Sequence, residues 1–194
     1  MSINNRNIIT RNIEELKHLL CDLSQDDFVV ISQISSLIAK TLQSGSCVFW
    51  CGNGGSASQS QHFAAELIGR FKENRRPYKS LSLNSDSSVI TCISNDFGYE
   101  NLFSRQLEGL GIQGDLVIIL STSGNSLNLK NVVEKAKKLG IKSISLLGSG
   151  GGLIKNNSDF ELIIKSSVTT RIQEMHNLIG HIICEIVEAE LNGS

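Results

Sequence analysis

Ser46-Cys-Val-Phe-Trp-Cys-Gly-Asn-Gly-Gly-Ser56 is the stretch that decides the fold. A short apolar run, Cys47–Trp50, passes straight into a turn with three glycines, and helical periodicity follows over Ser58–Phe71. A strand that is apolar at every position expects cover on both faces, which is the environment of a parallel sheet. The same β-then-α unit recurs outward from it. Strand candidates are Ser80–Leu83, Leu116–Leu120, Ser143–Leu147 and Glu161–Ile164, with helical periodicity strongest in Tyr99–Leu110, Leu127–Leu139 and Thr170–Leu191. This alternation predicts a three-layer α/β/α sandwich around a five-stranded parallel sheet. Upstream, Ile13, Leu16, Leu19, Leu20 and Leu23 form one apolar stripe at helical spacing, and Val30, Ile31, Ile34, Leu37, Ile38 and Leu42 form another. These two added helices either cover the sheet or pair with a second subunit, and Asp26 and Asp27 are candidates to cap the second. Pro77 is the single proline and no linker or repeat is visible, so residues 1–194 read as one domain with 1–45 as a helical pair.

Composition narrows the function classes. A chain of 194 residues with 40% apolar and 19% charged residues is an ordinary globular domain. Its formal net charge of -1 argues against a nucleic-acid partner or an anionic membrane surface, so any bound phosphate must be held by local geometry. The N-terminus lacks a signal-peptide apolar core, and no apolar run approaches the ~18 residues that span a bilayer. Cys21, Cys47, Cys51, Cys92 and Cys184 are odd in number and form no CxxC pair, so they read as reduced thiols of a cytoplasmic protein.

Two strand-to-helix junctions can hold an anion. In Cys51-Gly-Asn-Gly-Gly-Ser56 the glycines allow close backbone approach, and Ser56 is placed to cap the next helix. In Ser121-Thr-Ser-Gly-Asn-Ser126 four hydroxyls meet a helix N-terminus, which binds phosphate without Lys or Arg. A dinucleotide fingerprint is a poor match, because the nearest acidic residue, Asp86, lies 34 residues after Gly52 instead of about 20. A Walker loop is excluded by the absence of GK[ST]. The alternative for the serine run is an ordinary polar turn with a good cap, yet two such turns at ligand-binding positions favour a ligand.

His62 and Glu66 stand at i and i+4 on the helix after the glycine turn, about 6 Å apart along its axis. Such a pair can chelate a divalent metal, or place a Glu base beside an oriented His; a plain intrahelical bond fits the spacing equally well. The last helix carries Arg171, Gln173, Glu174, His176 and His181 in otherwise apolar surroundings. Gln173 and His181 are eight residues apart, so their directions differ by ~80° and their heights by ~12 Å. Both can border one pocket without easily gripping one atom. A His inside an apolar helix is usually a satisfied core residue, and His18 reads as a surface residue. Asn95-Asp96-Phe97-Gly98 reads as a third polar turn, with Asp96 either capping the helix that follows or accepting a ligand hydroxyl.

From about residue 47 onward the chain resembles the sugar isomerase (SIS) domain family, and within it the bacterial phosphoheptose isomerases. The resemblance rests on Cys51-Gly-Asn-Gly-Gly-Ser56, Gln61-His-Phe-Ala-Ala-Glu-Leu67, Gly69-Arg-Phe71, Ser94-Asn-Asp-Phe-Gly98, Phe103-Ser-Arg-Gln106, Ser121-Thr-Ser-Gly-Asn-Ser126 and Arg171-Ile-Gln-Glu-Met-His176. It implies isomerisation of sedoheptulose 7-phosphate, a sugar-phosphate substrate, toward heptose for surface polysaccharide. It further implies Glu66 and His181 as the catalytic pair, with zinc held by His62, Glu66, Gln173 and His181. Ser121, Thr122, Ser123 and Ser126 match the family's phosphate loop, and Asn53, Gly54, Gly55, Ser56, Asn95 and Asp96 match further substrate contacts. The family also has a non-catalytic branch resembling the replication-initiator-associating protein, which lacks the catalytic Glu and His that are present here. A sugar-phosphate-sensing regulator would normally carry a DNA-binding segment, and no basic helix-turn-helix precedes residue 46. Resemblance to tetramers, together with the ~12 Å offset on the last helix, predicts a homotetramer with Glu66 and His181 of one site drawn from different chains.

Overall fold

The computed structural model describes residues 3–193, so of the expected domain 1–194 residues 1, 2 and 194 lie outside the described residues. In chain order the elements are α1 (Ile3–Cys21), α2 (Gln25–Gln43), β1 (Val48–Gly52), α3 (Gly55–Ile68), β2 (Ser80–Ser82), α4 (Ser87–Phe97), α5 (Leu102–Leu110), β3 (Leu116–Ser121), α6 (Leu127–Leu139), β4 (Lys142–Leu147), β5 (Phe160–Ile163) and α7 (Thr169–Asn192). Short 3₁₀ turns lie at Tyr99–Asn101 and Ser149–Ile154. All strand pairings are parallel, in the order β2-β1-β3-β4-β5.

Period-two alternation along the strands divides the core. Val48, Trp50, Ile118, Leu120, Ile144 and Leu146 join the buried residues of α2, α3 and α7 on one face. Phe49, Cys51, Val117 and Ile119 join those of α5 and α6 on the other. The expected three-layer, five-stranded architecture is the one observed. Trp50 also donates its indole N–H to Ser80 Oγ at 2.9 Å, and its ring lies 5.4 Å from Phe63 on α3.

The N-terminal helices divide their tasks. α2 buries Ile31, Ile34 and Ile38 against the sheet layer, whereas α1 leaves Ile8, Ile9, Ile13 and Leu20 exposed. The cap of α2 is Ser24 rather than Asp26 or Asp27. Asp27 sits at the third helical position and returns the bond in a capping box, accepting from the Ser24 N–H at 2.8 Å. α4 is a helix that the sequence-based expectation did not include. Its sequence, Ser-Ser-Val-Ile-Thr-Cys-Ile-Ser-Asn-Asp-Phe, is rich in β-branched and short polar residues of low helix propensity, and it is started by Asp86, whose carboxylate accepts from the N–H groups of Ser88 and Val89. No helix among the described residues is long and apolar enough to cross a membrane.

His176 on α7 is fully buried, and the contact of its Nε2 with the Leu147 carbonyl at 3.2 Å requires Nε2–H as donor, leaving Nδ1 without a partner. Burial pushes its pKa down to about 4, against a smaller upward pull from the Leu147 carbonyl. Because the folded value is depressed, the neutral ring contributes stability that is complete above the unfolded value of about 6.5 and is lost as pH falls toward 4. The unfolding free energy from urea titrations should therefore fall between pH 6.5 and pH 4, by at most ~1.4 kcal/mol per pH unit from this ring. His176→Gln should flatten that limb; identical limbs in the two proteins would assign the acid sensitivity elsewhere.

Candidate active site

The strand order puts the topological switch point between β1 and β3, where ligands enter such sheets. The two turns following those strands are the glycine turn and the serine turn. Gly54 stands at the N-cap of α3 with φ +55, a conformation that favours glycine. A side chain on Gly55 would collide with the Gln173 amide, its Cβ lying 2.4 Å from Nε2. Ser56 therefore does not cap α3; it is buried inside the first turn. Asn53 and Asn128 exchange amide hydrogen bonds of 2.9 Å each, and Tyr99 Oη donates to Asn53 Oδ1 at 2.8 Å. The Asn53 side chain thus ties the glycine turn to α6.

The serine turn presents hydroxyls that keep a proton to donate. Ser121 Oγ accepts from the Gly124 N–H at 3.0 Å and Ser123 Oγ from the Asn125 N–H at 3.2 Å, so neither bond spends the hydroxyl proton; Ser121 is buried and Ser123 half-buried. Ser126 is the N-cap of α6 yet makes no side-chain capping bond. The turn is held from behind by residues 148–154. The Ile154 N–H donates to Gly124 O, the Leu153 N–H donates to Asn125 Oδ1, and a Cβ on Gly124 would lie 2.0 Å from Gly151 O.

A second cluster forms where α3 meets α7. A Cβ on Gly180 would fall 2.1 Å from Phe63 Cζ, so only glycine lets the two helices approach this closely. The approach brings His62 Nε2 to 2.8 Å from His181 Nε2 and leaves Glu66 Oε1 3.5 Å from His62 Nε2. One ligand atom from each of the three residues lies within 4.8 Å of the other two. Phe63 and Phe71 flank His181, each ring 5.9 Å away. Two imidazoles and a carboxylate are the donor set of many catalytic zinc sites, and donors bonded at ~2.0–2.1 Å around one tetrahedral ion stand ~3.3 Å apart. The spacings of 2.8 and 3.5 Å bracket that value, so the residues fit a divalent metal.

Glu66 and His181 meet within one chain. The expectation that they come from different chains is overturned, because the ~12 Å offset separates Gln173 from His181 along α7 and places no distance between α7 and α3. Gln173 lies instead against Gly55 and accepts from Gln59 Nε2 through its carbonyl, so its side chain belongs with the glycine turn. Asn95 and Asp96 are not in a turn that starts a helix. They sit exposed in the last turn of α4, hydrogen-bonded to each other at 2.7 Å, and Asp96 caps nothing downstream. Sequence reading passed over Tyr99, Asn128 and Asn84. Asn84 accepts from the Gly52 N–H and donates to the Gly52 carbonyl, a two-bond clip on the glycine turn. Its place just beyond β2, beside the switch point, was the available signal.

A family model described as SIS domain matches residues 12–148. The chain belongs to the SIS domain family. That match ends at Gly148, so the helix bearing His181 lies beyond it. Relatives cover more. The phosphoheptose isomerase of Akkermansia muciniphila is 48% identical over 84% of this chain and 86% of its own length. That of Helicobacter pylori strain Shi470 is 52% identical over 78% and 79%. Among solved structures, the phosphoheptose isomerase from Francisella tularensis superposes with a TM-score of 0.88 at 32% identity, covering 96% of this chain and 98% of that one. The enzyme from Neisseria gonorrhoeae gives 0.87 at 31%, covering 95% and 98%.

The helix seam of this SIS domain is open to test. Gly180→Ala should cost ~1–3 kcal/mol by overpacking against Phe63 and, by parting His62 from His181, weaken divalent-metal binding at least about tenfold. Urea unfolding and metal titration measure both; wild-type values in each would mean the seam is not set at Gly180.

Proposed function

We propose that this chain is a phosphoheptose isomerase, converting D-sedoheptulose 7-phosphate to D-glycero-D-manno-heptose 7-phosphate. The observation that carries the reading is the meeting of His62, Glu66 and His181 at the α3–α7 seam, in a fold whose β1 and β3 end in two phosphate-competent turns. Along α3, Glu66 lies eleven residues from Gly55, ~16 Å along the axis. The substrate, with a phosphate on C7 and the reacting carbons at the other end, is shorter than this span even when fully extended.

Ser121, Thr122, Ser123 and Ser126 donate to the phosphate, aided by the N-terminal end of the α6 dipole. Gly54, Gly55, Ser56, Asn53, Asn95, Asp96 and Gln173 surround the sugar. Glu66 removes a proton from C1 of the ketose, and the electrons of that C–H bond form the enediol. His181 moves the proton of the C1 hydroxyl to the oxygen on C2, and Glu66 returns its proton to C2, which leaves the aldose. His62 fixes the orientation of the His181 ring across their 2.8 Å Nε2–Nε2 contact. Zinc would be held by His62, Glu66 and His181 and, when bound, would supply Lewis-acid polarisation of the substrate oxygens; Gln173, which the resemblance adds to the ligand set, lies against Gly55 instead. The second carboxylate oxygen of Glu66 remains for the substrate.

The same reading makes the molecule a homotetramer of single SIS domains in the cytoplasm, feeding heptose to surface polysaccharide. The exposed Ile8, Ile9 and Ile13 of α1 and Phe28 and Val29 of α2 support self-association, and five free cysteines suit a reducing compartment. The ~16 Å between Gly55 and Glu66 supports sites in which the phosphate turns of one subunit serve the triad of the next.

Pure, zinc-supplied protein should turn over sedoheptulose 7-phosphate, and Glu66→Gln and His181→Gln should each lower kcat by ~10²–10⁴ while remaining folded. A wild-type protein without turnover would falsify the proposal. Light scattering should give four times the chain mass, and a monomer would refute the assembly. Mixing inactive Glu66→Ala subunits with inactive Ser121→Ala/Ser123→Ala subunits should restore partial activity; no recovery after verified exchange would return each site to a single chain.

A further inference from the structure

Residues 69–76 fold back over the C-terminal end of α3, on the side of the triad away from the phosphate turns. At their centre is a buried ion pair. Arg75 Nε lies 2.9 Å from Glu188 Oε1, and the two side chains are 4% and 5% exposed. Arg75 uses its remaining donors on backbone. Nη2 donates to the carbonyl of Glu66 at 2.8 Å, and Nη1 donates to Leu67 O at 2.8 Å and Gly69 O at 3.3 Å. The Glu66 and Leu67 carbonyls belong to the last turn of α3, whose carbonyls have no partner within the helix. The Arg75 guanidinium also lies over the Tyr78 ring at 4.2 Å.

Glu188 is equally committed. Its Oε2 accepts from the N–H groups of Lys72 at 2.8 Å and Glu73 at 3.0 Å, and its Oε1 accepts from Phe71 N–H at 3.4 Å. Burial raises its carboxyl pKa, but these N–H donors and the Arg75 guanidinium outweigh that and hold it below the ordinary carboxylate value. On α7, Glu188 lies seven residues after His181, two turns along the same face. The pair therefore has one end on the turn that carries Glu66 and the other on the helix that carries His181. The loop it gathers also sets the Phe71 ring 5.9 Å from His181, tilted by 30°.

Buried ion pairs are weak stabilisers, because desolvation offsets their attraction, while removal of one partner leaves a costly unpaired charge. Stability alone is thus a poor reason for this one. We propose that Arg75 and Glu188 are positioning residues for proton transfer: they lock the last turn of α3 onto α7 and so fix Glu66 relative to His62 and His181. The inference rests on the isomerase reading, and neither residue touches substrate.

Arg75→Lys keeps the charge but loses the planar fork of donors, and Glu188→Gln keeps the shape but loses the charge. Each zinc-loaded variant, assayed where circular dichroism shows it folded, should lose about 10–100-fold in kcat on sedoheptulose 7-phosphate with KM within about twofold. Zinc affinity, measured by competition with a chromophoric chelator, should fall about tenfold. Should the single variants fail to fold, Arg75→Met/Glu188→Leu replaces the pair with apolar groups that such sites often tolerate, and the same losses are expected. Wild-type kcat and wild-type zinc affinity in a folded variant would overturn the positioning role and leave the isomerase reading intact. A wild-type protein with no turnover would instead sink the isomerase reading, while the zinc measurement would still report on Arg75 and Glu188.

Discussion

The close approach of α3 and α7 at Gly180 is the constraint on which the site depends. Without a side chain at that position, Phe63 fills the space and the two helix backbones come near enough for their polar residues to meet. His62 and His181 sit one residue from Phe63 and Gly180 respectively, so the apolar contact and the polar contact are consecutive in both helices. The packing of a core residue therefore sets the distance between chemical groups, and a protein interior at crystal-like density transmits any change there directly. The same layer is anchored below by β1 through Trp50 and Phe63, which ties the seam to the sheet.

The half of the site built from the glycine and serine turns follows a different logic. Its turns leave few dangling polar groups on themselves. Asn53 and Asn128 satisfy each other, Asn84 clips Gly52, and residues 148–154 brace the serine turn through backbone donors. Buried or half-buried polar networks of this kind are rigid only when every member is satisfied. What is left over is a set of hydroxyl protons, which is what a phosphate accepts. On the isomerase reading, a domain with a net charge of -1 would hold a dianion through local, preorganised donors.

Much of this was legible from residue order, and the reasons for the misses are physical. β1 and β3 are apolar runs bounded by a polar turn, so burial on both faces showed in the sequence to within a residue or two, while β4 alternates Ser143 and Ser145 with Ile144 and Leu146 and is equally buried. α4 carries only a short apolar stripe, Val89, Ile90, Ile93 and Phe97, set among β-branched and polar residues of low helix propensity, so it was missed, and with it went the correct placement of Asn95 and Asp96. The His62–Glu66 pair showed as i, i+4 spacing, but its junction with His181 depends on which residue of α7 faces α3. Reasoning along one helix could only measure Gln173 against His181, and so it placed Glu66 and His181 in different chains. Asn84 and Asn128 had no motif of their own; their role arises from where strand ends fall in space.

The single tryptophan of the chain, Trp50, stands in β1 with its indole N–H held by Ser80 and its ring tilted against Phe63. Phe63 in turn is the residue that fills the gap at Gly180. An indole in so apolar and fixed a setting emits without contact with water, and its spectrum responds to the ring beside it. Excited beyond the absorption of Tyr78 and Tyr99, the fluorescence of this protein therefore has one source, one contact away from the joint between the two helices. Any event that loosens or tightens that joint has an optical record, readable without a label.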